Sequence, residues 1–269
     1  MWTHRPSFTV ALTVAYRVIH LRDRLLRRIP SRRDAAPGIS ATQYSIPSGK
    51  NLVDAIYVEP TAQPARASVL ICHGIGEVVS QWFLIQQILA ENAVASLVFD
   101  YSGYGCSTGH VDSIQCEQDA ISAFRFLESL APPRPISILG FSLGTGIVPA
   151  IIDQLKADRM VLCAPFTSFR DAALEIGIPR WLSPLVPCIW NSRESLRNCR
   201  LPALVVHSTG DRLFPLQMAR ELASLCGPNA KLLVVPGVAH NQPFRRPDLS
   251  YWGPIVSFLT SCHPERSEP

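Results

Sequence analysis

Ile136-Ser137-Ile138-Leu139-Gly140-Phe141-Ser142-Leu143-Gly144 joins an apolar, strand-like run to a serine with a glycine two positions away on either side. Residues 143–156 then read as a helix. A strand that passes through Gly-x-Ser-x-Gly straight into a helix must bend sharply, and only small residues beside the serine leave room for that bend. The bend lifts the serine hydroxyl above the sheet at a helix N-terminus, where it can attack an acyl carbon. The five-residue pattern alone is common in loops. The strand before it and the helix after it make it informative.

On both sides of this stretch, apolar runs recur at intervals that suit a sheet interleaved with helices. Residues 42–46 and 52–58 alternate as two strands around Pro47-Ser48-Gly49-Lys50-Asn51, a hairpin signal. Residues 67–72, 95–99, 160–163, 204–207 and 231–235 are continuous apolar strands, as expected for a sheet covered on both faces. Helices are expected over 79–92, from Asp112 onward, and over 143–156, 216–225 and 249–261. Asp112 with Gln115 suggests a capping box for the second of these, with Ile114, Ile121, Phe124 and Leu127 as its buried stripe. Pro149 is tolerated early in the helix after Ser142, at the cost of a bend. This succession predicts an α/β fold: a mostly parallel central sheet with helices on both faces. Prolines from Pro165 to Pro202, with Trp181 and Trp190, break the rhythm and mark a short helical cap insertion over 165–202.

Charge divides the chain. Residues 1–33 hold eight arginines against Asp23, a charge of +7; the whole chain carries +4, so the remainder is −3. A nucleic-acid-binding core needs basic residues on its own surface and is excluded. Phe8, Leu12, Ala15, Ile19, Arg22 and Leu26 fall near one helical face with the other arginines largely elsewhere, so 1–36 reads as a basic amphipathic segment with its linker. Three readings fit it: peripheral contact with an anionic membrane, packing on its own domain, or a poorly ordered arm. The folded α/β domain is expected over 37–262, with a disordered tail at 263–269. Eight scattered cysteines, without a Cys-x-x-Cys or Cys/His cluster, argue against a zinc site and read as small buried hydrophobes in a reducing, cytoplasmic setting. No metal or cofactor is expected. The glycine-spaced loop 101–109 lacks the lysine of a P-loop and the spacing of a dinucleotide fold, and reads as a structural crossover.

In a parallel sheet, chemistry gathers at the C-terminal ends of the strands. Four polar candidates stand there: His73, Ser142, Asp211 and His240. A serine hydroxyl needs a base, and the base needs an acid to fix its tautomer. Ser142, Asp211 and His240 come in the order nucleophile, acid, base, each in a loop after a strand. Of their rivals, Asp153, Asp158 and Asp171 are placed less well, His207 lies inside a strand and His110 in a loop before the serine. The negative oxygen formed by attack needs two donors: the backbone N–H of Leu143, and one from the loop after residue 72, assigned to Ile75. His73 reads as a loop brace, and Glu77 as a cap for the helix that follows.

His73-Gly74, Asp100-Tyr101-Ser102-Gly103-Tyr104-Gly105, Gly140-Phe141-Ser142-Leu143-Gly144-Thr145, Gly210-Asp211 and His240-Asn241 together resemble the α/β-hydrolase superfamily across residues 42–260. The Asp-Tyr-x-Gly-Tyr-Gly loop and the short insertion are similar to the serine-aminopeptidase-like branch, which includes small esterases and protein thioesterases. That resemblance implies acyl transfer to Ser142 and hydrolysis by a water that His240 activates. Serine at this position speaks against epoxide hydrolases and haloalkane dehalogenases, which use aspartate there. The apolar insertion, with Phe166 and Trp181 as candidate substrate contacts, points to a carboxylic ester or thioester with an apolar acyl group, free or carried on a larger acylated molecule. An amidase or peptidase, and a non-catalytic binding protein that kept the fold, are the alternatives.

Overall fold

The computed structural model describes residues 36–130 and 134–261. The expected basic amphipathic segment and the polar tail lie outside them. The hairpin β1 (Ile39–Ser48) and β2 (Asn51–Pro60) turns at Gly49, whose positive φ suits glycine. It is longer than its alternating sequence core suggested. There follow β3 (Ala67–Cys72), β4 (Val94–Phe99), β5 (Ile136–Phe141), β6 (Arg159–Cys163), β7 (Ala203–Ser208) and β8 (Ala230–Val235). They form one eight-stranded sheet in the order β1-β2-β4-β3-β5-β6-β7-β8. Only the β1–β2 and β2–β4 pairs are antiparallel.

The helices are α1 (Phe83–Glu91), α2 (Ser113–Leu130), α3 (Gly144–Ile151), α4 (Phe169–Glu175), α5 (Ser192–Leu196), α6 (Leu216–Leu225), α7 (Gln242–Arg245) and α8 (Leu249–Thr260). Alternate strand residues feed two cores. Leu70, Cys72, Leu97, Phe99 and Ile138 meet α2, α3 and α6 on one face. Val69, Ile71, Val98, Leu139 and Phe141 meet α1 and α8 on the other. Each of these aliphatic side chains contributes about 2 kcal/mol by leaving water, which is why the central strands read as unbroken apolar runs. The fold is the α/β-hydrolase arrangement expected from the sequence.

Several local expectations are corrected. Ile114 is 72% exposed and belongs to no buried stripe; Cys116, Ala120, Ala123, Phe124 and Leu127 carry that face, with Ile121 beside them. Asp112 does cap α2, accepting the N–H groups of Ile114 and Gln115. The Gln115 side chain, however, turns to Ser48 and Asp119 instead of closing a box. The segment expected as one helix over 79–92 begins with a 3-10 turn, Val79–Trp82, and Gln81 rather than Glu77 serves its start. The α-helix after Ser142 ends at Ile151, short of residue 156.

Pro149 links that helix to the insertion. Lacking an N–H, it leaves the carbonyl four residues earlier, that of Thr145, without its helical donor. The Ser192 hydroxyl supplies one at 3.2 Å. The insertion comprises α4, a 3-10 stretch Arg180–Leu185 and α5. Its inner residues Phe166 and Trp190 are buried, while Ile176, Ile178, Trp181 and Leu185 face solvent. Among the described residues no helix is long and apolar enough to cross a membrane. The seven described cysteines are free thiols, five of them buried.

Asp119 ties the hairpin to the crossover loop. Fully buried, it accepts the Ser48 hydroxyl at 2.6 Å, the Ser102 N–H at 2.6 Å and the Gln115 amide at 2.8 Å. Asp119→Ala strands these donors and is expected to lower unfolding free energy by about 3 kcal/mol in urea titration.

Candidate active site

The sheet order sets the site. β3 and β5 are neighbours with Cys72 opposite Gly140, so the loop after His73 and the turn at Ser142 emerge side by side. β7 lies two strands beyond β5, with β6 between. Two strand spacings are about 10 Å, too far for a carboxylate to reach the serine directly. A side chain from the loop after β8 has to bridge them.

Ser142 occupies the left-handed region at φ 49°, and its N–H donates to the Cys163 carbonyl at 3.0 Å. An L-residue there is strained, and the neighbouring glycines make it feasible. A methyl group on Gly140 would meet the Gly144 carbonyl at 2.5 Å; one on Gly144 would meet the Cys72 carbonyl at 2.0 Å. Ser142 Oγ lies 2.9 Å from His240 Nε2, and His240 Nδ1 lies 2.7 Å from Asp211 Oδ2. Burial pushes the Asp211 carboxyl up, but hydrogen bonds from His240 and from the Phe214 and Leu213 N–H groups outweigh it and hold it below the usual carboxylate range. The ionised Asp211 accepts the Nδ1 proton, which leaves Nε2 free to accept from the serine hydroxyl.

Aromatic rings surround the imidazole. Phe214 stands edge-on to His240 at 5.2 Å and Phe141 lies at 5.8 Å. His207, buried beneath, donates from Nε2 to the Phe214 carbonyl at 3.0 Å; burial lowers its basicity. Phe166 packs on Phe214 at 5.6 Å, so it joins the site from behind. Trp181 is 77% exposed on the insertion, and its side chain makes no hydrogen bond or ring contact among the described residues. Asp171 is engaged by Thr167, Ser168 and Arg193 within the insertion, and His110 is exposed. Arg193 also pairs with Glu221, and a cleft of about 460 Å³ beside it lies within the insertion.

The loop after β3 brings Ile75 to this edge. Glu77, 7% exposed, turns back under it: Oε2 accepts the Gly74 N–H at 2.8 Å and the Trp82 indole N–H at 3.0 Å. Burial pushes its carboxyl up. Phe214 and the inward Glu77 are the parts sequence reasoning missed. An acidic residue in an otherwise apolar stretch, and a phenylalanine three residues after Asp211 in the same turn, were the available signals. No group of three or more His, Cys, Asp or Glu suited to a metal ion occurs among the described residues.

The chain is similar to several known proteins. A family model described as "Serine aminopeptidase, S33" matches residues 63–194. An uncharacterized protein of Mycobacterium tuberculosis is 28% identical over 252 residues, covering 88% of each chain. The lysophosphatidylserine lipase ABHD12 of Danio rerio is 23% identical over 82% of this chain and 66% of its own. The solved esterase Pf2001 of Pyrococcus furiosus shares the fold with a TM-score of 0.67 at 16% identity, over 82% of this chain and 92% of that one. The chain belongs to the α/β-hydrolase superfamily and is an enzyme of that class.

The lowered Asp211 carboxyl predicts an acid-side stability effect. Its folded value lies below the unfolded one, so the stability it contributes is complete above about pH 4. That contribution is lost as pH falls through the folded value. Urea titrations from pH 6 down to 3 are expected to show Asp211→Asn less stable than wild type at pH 6, with the gap closing below about pH 4.

Proposed function

We propose that the protein is a serine hydrolase that cleaves a carboxylic ester or thioester with an apolar acyl group. The observation that carries this reading is the continuous hydrogen-bonded path from Ser142 through His240 to Asp211. His240 takes the serine proton as Oγ bonds to the substrate's carbonyl carbon. The carbonyl oxygen becomes an oxyanion held by the backbone N–H groups of Leu143 and Ile75. Expulsion of the leaving alkoxide or thiolate, with the proton from His240, gives an acyl-enzyme on Ser142. A water that His240 deprotonates then attacks the acyl carbon, and the acid departs as Oγ recovers its proton. Asp211 holds the imidazole in the required tautomer and steadies the imidazolium.

Support for the substrate class comes from two sides. The rings of Phe141 and Phe214 against His240, with Phe166 packed behind Phe214, give the base an apolar surround that suits an apolar acyl chain. The relatives include lysophosphatidylserine lipases and the structural neighbours include esterases, all of which act on acyl bonds.

A fluorophosphonate probe is expected to label the wild type, and Ser142→Ala is expected to remain unlabelled; an unlabelled wild type would refute the reading. His240→Ala is expected to lose about 10³-fold or more in kcat on p-nitrophenyl esters. Rates across p-nitrophenyl esters and acyl-thioesters of rising chain length are expected to pass through an optimum longer than acetyl.

A further inference from the structure

We infer that Glu77 is a positioning residue for the reaction: with His73 and Tyr101 it pins two consecutive peptides so that the Ile75 N–H is the one group left to receive the oxyanion. The inference rests on the reading of Ile75 as an oxyanion donor. It deepens that reading by assigning the residue that aims this donor.

The two peptides are those joining His73 to Gly74 and Gly74 to Ile75. They present four polar groups. The His73 carbonyl accepts the Tyr101 hydroxyl at 3.2 Å. The Gly74 N–H donates to Glu77 Oε2 at 2.8 Å. The Gly74 carbonyl lies 2.8 Å from His73 Nδ1, which must therefore carry the ring proton, since a carbonyl only accepts. The same carbonyl receives the Glu77 N–H at 3.4 Å. The fourth group, the Ile75 N–H, has no acceptor among the described residues.

The clamp is buried and stiff. His73 and Tyr101 are fully buried, and their rings meet edge-on at 4.7 Å. The Trp82 indole N–H donates to the same Glu77 oxygen as the Gly74 N–H, and Trp82 packs on Phe141, the residue before the serine, at 5.6 Å. A methyl group at position 74 would stand 2.6 Å from Glu77 Oε1 and displace the carboxylate. A buried carboxylate with these two donors would be unnecessary for packing alone; a leucine fills similar volume without the desolvation cost. What a leucine cannot do is hold the Gly74 N–H, and with it the plane of the next peptide.

Glu77→Gln keeps an oxygen that can accept both donors, whereas Glu77→Leu keeps the volume and removes the acceptor. Both variants and wild type are titrated with the fluorophosphonate probe, and kcat is expressed per labelled site, so misfolded protein does not count. Losing a whole oxyanion donor costs on the order of 10²–10³-fold. Misaiming one is expected to lower the kcat of Glu77→Leu about 10–100-fold, with KM within about two-fold, while Glu77→Gln stays within about three-fold of wild type. The probe's own second-order labelling rate is expected to fall in parallel, because phosphonylation uses the same hole. Should Glu77→Leu not fold, Tyr101→Phe, which removes only the hydroxyl on the His73 carbonyl, is expected to lower kcat per site several-fold with KM unchanged. A folded Glu77→Leu, or failing that Tyr101→Phe, that turns over at the wild-type rate per labelled site overturns the inference. Failure of the underlying reading shows differently, as a wild type that the probe does not label at all.

Discussion

Gly144 leaves no space for a methyl group because its α-carbon lies against the carbonyl of Cys72. That close approach of two backbones is the constraint from which the site follows. It lets the helix after Ser142 start directly over the end of β3. The helix N-terminus and the loop from His73 to Glu77 thereby share one edge of the sheet. A side chain at 144 would push the helix outward and separate the two backbone donors proposed for the oxyanion. The strained φ of Ser142 is sustained by the same crowding, since the strand before and the helix after are both fixed by packing.

From that fixed point the remaining groups are placed by strand order. β6 separates the serine's strand from that of Asp211, and this gap gives room for an imidazole between them. The aromatic surround does the rest. Phe141 and Phe214 exclude water from the flanks of His240, which strengthens the charge–dipole contacts along the path to Asp211. Polar demands inside this apolar shell are met by short, local bonds, as with Asp211 and the two N–H groups of its own turn.

Much of this was legible in the sequence because it depends on period and order. The central strands announce themselves as apolar runs, being buried on both faces. Ser142, Asp211 and His240 follow from their positions after strands. What was not legible depends on side-chain direction. Ile114 fits a helical stripe by spacing yet points to solvent, and a weak periodic signal cannot tell those outcomes apart at the first turn of a helix. Glu77 stands where a helix cap is common, and only the fold shows it turned inward to Gly74. The insertion was visible as a break in rhythm. Its division into a buried inner side and an exposed outer side was not, because proline-rich 3-10 turns have no fixed period.

The carbonyl that Pro149 leaves to Ser192 has a bearing on how this enzyme can be rebuilt. The insertion is fastened to the serine's helix through Trp190, packed against Gly146, and through Ser192, bonded to Thr145. Between its entry at Phe166 and that anchorage, the loop carrying Ile176, Trp181 and Leu185 adds little to the interior. A graft that exchanges residues 175–187 therefore leaves the hinge pin in place, whereas a cut after Leu196 would carry the pin away with the lid. Cap swapping in this scaffold has a natural seam, and a single proline drew it.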